Sequence, residues 1–174
     1  MAGRSTSTGR RRLGRSVGRW RGRPADGGSM SVEVAILAPA FLLLLGLAVV
    51  GGRAVIARNA VDLAAHDAAR AASIARTEQQ ARADGEVAVE QALAQQGLAC
   101  DPAASVTLTG ELPGGTDVDL GYAFAPERVG ELVFVVATVR CTVALADLGL
   151  PGTPGSIDVR RSFVSPMDRF RSRR

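Results

Sequence analysis

The sequence contains no lysine; all 21 of its basic residues are arginine. A single histidine, His66, stands among 174 residues, too few to anchor a histidine-rich metal centre. Cysteine is equally scarce. Cys100 and Cys141 are the whole inventory, which excludes a disulfide-dense scaffold and any C-x-x-C redox or zinc motif. Aromatics number five Phe, one Tyr and one Trp, so a core must be built from Val, Leu, Ile and Ala. There is no phosphate-cradling P-loop, no G-x-S-x-G nucleophile turn and no H-E-x-x-H zinc helix. Asp117 and Asp119 in TDVD are two acids without further oxygen ligands beside them, and are read as loop solvation, not a Ca²⁺ site. No catalytic residue, metal or cofactor is expected, and the chain is read as a non-enzyme.

What the sequence does have is one long apolar run. From Val34 to Gly52, 19 residues pass without a charge. At ~1.5 Å per residue such a helix covers about 28 Å, close to the ~30 Å of a bilayer's hydrocarbon core. A membrane span is the expectation, with membrane lipid as its partner. Glu33 stands at the entrance of the run, where a carboxylate is costly unless it lies near headgroups or is paired. It is the fifth residue after Gly28, and Ser29 follows that glycine. A small residue, a scissile bond and an acid five positions on, before an apolar run, form the arrangement of a type IV prepilin. Gly28, Ser29 and Glu33 are therefore the candidate peptidase-processing residues. Pro39 removes one helical donor inside the run and is expected to kink it.

The net charge of +4 averages over unlike segments. Residues 1–27 carry eight Arg against Asp26, residues 53–168 nine Arg against 15 acids, and residues 169–174 four Arg. The positive-inside rule then keeps the basic arm in the cytoplasm and exports the residues beyond the span. The arm, rich in Arg, Gly and Ser, is expected to be disordered. Its charge and Trp20 invite a nucleic-acid reading. Next to a membrane span, attraction to anionic headgroups explains it better, and no nucleic-acid partner is expected. Arg11–Arg12–Leu13 lies too far from the apolar run for a twin-arginine signal, and GGRAV is a poor secretory cleavage site.

Beyond the span, residues 53–83 are alanine-dominated and free of Pro and Gly, so the helix should continue out of the membrane. Asp62/His66 and Asp67/Arg70 have the spacing of supporting helix pairs. Asp84–Gly85 reads as a break, with a second helix resuming to Gly97. The alanine face either lets helices of sister subunits approach closely or simply reflects helix propensity. After Cys100 the period changes. Ser105–Thr109 alternates as a strand, 110–120 is loop-like around Pro113–Gly114–Gly115, Glu131–Leu145 is the strongest strand signal, and Ser156–Val164 is the last. Strands joined by turns imply antiparallel pairing. The fold class is α+β: a long transmembrane helix running into an Ala-rich helix, then a small antiparallel sheet. The segments are a basic leader (1–28), the span (29–53), a helical segment (54–97), a β-rich domain (98–165) and a basic tail (166–174). Both cysteines fall in the exported part, where a Cys100–Cys141 disulfide is expected.

The stretch SVEVAILAPAFLLLLGLAVVGGRAVIARNAVDLAAHDAARAASI resembles the N-terminal region of TadE-like proteins, pilin-like components of tight-adherence (Tad/Flp) pilus assembly systems. Gly28, Glu33, Pro39, Gly52–Arg53 and Ala68–Ala72 fall where that pattern has them. The tail, with Pro166, Asp168, Arg169, Phe170 and Arg171, looks like that of actinobacterial members. The resemblance implies a pilin-like fold, a pseudopilin subunit of a Tad-type pilus or secretion assembly, assembly through Glu33 and Pro39, and a prepilin peptidase, other pilin-like subunits and Tad components as partners. The competing reading is a single-pass anchor that displays an envelope-binding domain and keeps its basic arm.

Overall fold

The computed structural model describes residues 27–149 and 154–168. The basic arm up to Asp26, part of the loop before the last strand and the final six residues lie outside it, and with them the readings of the leader and of the arginine tail. By its contacts the chain divides between Phe41 and Leu42 into two units. The described residues of the first are the start of helix α1, Gly27–Ile74, which runs on through Pro39. The architecture of the second unit is α+β.

In that unit, α1 is followed by α2 (Glu78–Gln95), β1 (Ser105–Leu112), β2 (Thr116–Val118), a short helix α3 (Leu120–Phe124), β3 (Phe134–Ala144) and β4 (Ser156–Pro166). The four strands form one antiparallel sheet in the order β2-β1-β3-β4. β3 is an inner strand, as its richness in Val and Thr suits. Its alternate residues Val135, Ala137, Val139, Cys141 and Val143 are buried, while Val136, Thr138 and Arg140 look the other way. This period of two divides the sheet into a covered face and an open one.

The cover is α1. Ala57, Ala60, Val61, Ala64, Ala65, Ala68, Ala69 and Ala72 recur at helical spacing, and all are buried in one cluster with the inward residues of the sheet. The alanine face is thus consumed inside the chain's own domain. Small side chains let the helix lie close on the sheet, and neither bundling with sister subunits nor bare propensity is needed to account for them.

The break between the helices falls at residues 75–77, not at Asp84–Gly85. Thr77 caps α2 by accepting from the Gln80 amide at 3.1 Å, and the Gln80 side chain reaches back to the Arg76 amide at 3.3 Å. Thr-x-x-Gln here is a variant of the capping box, in which the Gln80 side chain accepts from the amide just before the cap and not from that of Thr77, and it marks a helix start despite helix propensity on both sides. Gly85 serves packing instead. It is buried mid-helix, and a Cβ there would come within 3.0 Å of Leu108 Cδ1. α2 ends as the sequence suggested: Gly97 is left-handed at φ 62°, and the Leu98 amide donates back to the Leu93 carbonyl at 3.0 Å.

Two further differences concern the loop-like stretch. β1 extends to Leu112, and a turn with Gly114 and Gly115 at positive φ leads into β2, so the segment is a hairpin. α3 follows, burying Leu120, Ala123 and Phe124 over Gly110, where a Cβ would sit 2.8 Å from Val118 and 3.2 Å from Ala123. Five residues give too short a period for such a helix to be read from sequence.

Candidate functional site

The residues singled out by sequence lie mostly along α1. Its early stretch, Val32 to Val49, presents Val32, Val34, Ile36, Leu37, Phe41, Leu42, Leu43, Leu44, Leu45, Leu47 and Val49 to the surroundings, each about half exposed or more. A helix apolar around its whole circumference, with none of the described residues packed on it, suits lipid better than water. It is long and apolar enough to cross a membrane. Gly28 and Ser29 fall in the first turn of α1, and Glu33, exposed, stands one turn after Ser29. Pro39 lies within the helix and cannot donate to the Ala35 carbonyl.

Immediately past the apolar stretch, Arg53 donates to Asp147 Oδ2 at 2.6 Å. Both side chains are partly exposed, so the pair adds little stability. It does fix the end of β3 against α1. Farther along, the Ser165 hydroxyl bonds that of Ser73 at 3.0 Å, so β4 follows α1. His66 does not reach Asp62 as the i, i+4 spacing suggested. It meets Asp67 at 3.1 Å and stands edge-on to Phe163, centroids 4.5 Å apart. No Asp67–Arg70 ion pair forms among the described residues either.

Cys100 and Cys141 are joined in a disulfide that ties the segment before β1 to β3. The neighbouring Asp101 amide adds a bond to the Thr142 carbonyl at 2.9 Å. Asp119 caps α3, accepting from the Gly121 amide at 2.7 Å, and Asp117 lies on β2 opposite Glu111. Among the described residues no three His, Cys, Asp or Glu side chains converge as a metal site.

The open face of the sheet was not visible in the sequence as a feature. It carries Thr107, Thr109, Val136, Thr138, Arg140, Arg160, Ser162 and Val164 around one shallow depression, with the acids Glu111 and Asp117 at its β2 end. Thr138 donates to Ser162 at 3.2 Å and Thr142 to Asp158 at 2.6 Å. Arg140 and Arg160 are direct partners across the β3–β4 ladder. They are distant in the chain, and only the register brings them together.

No curated protein and no solved structure matches the chain. Residues 28–70, which carry Glu33, Pro39 and most of the alanine face of α1, match the TadE-like protein family, and over that segment the chain is similar to its members.

Proposed function

We propose that this chain is a pilin-like membrane subunit of a Tad-type pilus or secretion assembly, acting by inserting α1 among the helices of other subunits. The observation that carries the reading is the division of labour along one helix. Its first half is apolar with none of the described residues packed on it, and its second half is part of the core of a folded domain. Such a helix joins neighbours within the membrane while its domain stays intact outside. The match to TadE-like proteins covers this helix through Arg70, which supports the same reading.

In this reading the basic leader stays cytoplasmic, the domain is extracytoplasmic, and the disulfide suits that compartment. A prepilin-type peptidase cuts between Gly28 and Ser29, releasing the leader. The new amino group at Ser29 then lies one turn from Glu33, and offers its positive charge either to Glu33 of the same chain or to that of a neighbour shifted along the axis. The deciding experiment is intact-mass measurement of the protein extracted from membranes of its native host. The expected mature chain begins at Ser29. A chain that keeps the basic arm would favour the unprocessed envelope anchor instead.

A further inference from the structure

Arg140 and Arg160 face each other on the open side of the sheet, both exposed. Among the described residues neither guanidinium has an ion-pair or hydrogen-bond partner. Like charges directly opposite on adjacent strands repel, so this pair costs the isolated domain stability. Asp158, the nearest acid along the same face, is engaged by the Thr142 hydroxyl at 2.6 Å. Beside Asp158 the near neighbours of the arginines on this face are short, Ser105, Thr138, Thr142 and Ser162, while the acids Glu111 and Asp117 stand farther along it, toward β2.

A second unpaired couple stands on α2. Glu86 and Glu90 are exposed, one turn apart, and without a partner among the described residues. Arg82, a turn before Glu86, is held by Glu78 at 2.7 Å. Cβ atoms one helical turn apart are about 5–6 Å from each other, and cross-strand neighbours about 5 Å, so the two couples match in spacing. They also match in level. Glu86 and Glu90 border Ala104, Ser105 and Val106, and Ser105 is the register partner of Arg140, itself the partner of Arg160. The arginines occupy the open face of the sheet and the glutamates flank its helix-covered side.

We propose that the open face of the sheet docks a second copy of this chain, with Arg140 and Arg160 of one copy receiving Glu86 and Glu90 of the next. Two copies held in one membrane share their orientation, so the couples, which lie at one level of the sheet within each copy, meet without either copy being inverted. For that shared orientation the inference rests on the membrane-subunit reading above. The contact is heterologous: each copy offers an acidic couple on one side and a basic couple on another. Repetition therefore generates a ring or an open filament and not a closed two-fold dimer.

The absence of lysine supplies the test. A full-length chain carrying Arg140→Lys and Arg160→Lys is co-produced in membranes with an unaltered copy bearing a different tag, and treated with a zero-length carbodiimide that couples carboxylates to amines. The expected product carries both tags, with mass-spectrometric links from the introduced lysines to Glu86 or Glu90 of the unaltered copy. Its yield should fall at least several-fold between ~0.1 M and ~1 M salt, since exposed charges are screened over that range. Links confined to one chain, to other carboxylates or to a different protein would overturn the docking. If the two tags still co-purify without those links, the docking is wrong and the helix-borne assembly stands. If neither co-purification nor links occur, both fail.

Discussion

Glu33 is the only acid between Gly28 and Arg53, and it stands exposed just before a run of uncharged, mostly apolar residues. None of the described residues packs against it, so it does little for the fold of the chain itself. In the proposed reading its worth lies in what it meets in an assembly. Glu33→Gln keeps size and removes charge, so insertion and the exported domain should be unchanged while co-purification with pilin-like partners drops several-fold. Protease protection reports the topology and a pull-down the association; a glutamine variant that assembles as well as the parent would make the carboxylate incidental. Glu33 was legible because one acid beside an uncharged run stands out by contrast. Arg140 and Arg160 were not, because each is an ordinary strand charge until the register places them opposite.

At the scale of elements, the sequence made the long helix, the inner strand β3 and the antiparallel sheet readable, since each rests on a strong period or composition. It misplaced the break between α1 and α2, because glycine was taken as punctuation. Gly85 is buried against Leu108, which is itself only 5% exposed, while Thr77 with Gln80 starts the helix. Two opposing effects then set the outcome of substitution. Alanine gains about 1 kcal/mol of helix propensity over glycine but must displace Leu108 slightly. Gly85→Ala should therefore lie within about 1 kcal/mol of the parent. Gly85→Val adds bulk with nowhere to go, and should lose about 1–3 kcal/mol. Denaturant unfolding of the detergent-solubilised chain, followed by far-UV circular dichroism, measures both. A neutral valine variant would mean that α2 does not press on β1 as described.

For the whole molecule, stability depends on a small core of Ala and Val fastened by one covalent tie. The bridge joins residues 41 apart in sequence, and the chain-entropy estimate gives such a loop about 4 kcal/mol. That is a large part of the ~5–15 kcal/mol typical of a whole domain. Replacing Cys100 and Cys141 together with alanine should lower unfolding stability by about 2–4 kcal/mol, read from the same denaturation curves. An unchanged midpoint would show that the helix-on-sheet packing suffices without the bridge. The proposed cleavage of the leader and the proposed direction of crossing are not properties of this fold. In that reading they are set by a peptidase and by lipid, and the sequence conveys them only as an address.

The alanine face has a consequence for how the gene can drift. Along one continuous helix, selection acts through two different filters. In the membrane reading, lipid upstream of Gly52 tolerates almost any side-chain volume and rejects polarity, so Leu, Ile, Val and Phe can exchange freely there. From Ala57 to Ala72 the sheet lies too close for volume to vary, so enlargement is purged at the buried positions while the outward ones are free to change. Divergent descendants of this chain should therefore keep the second half of α1 recognisable by its pattern of small residues and the first half only by its oiliness.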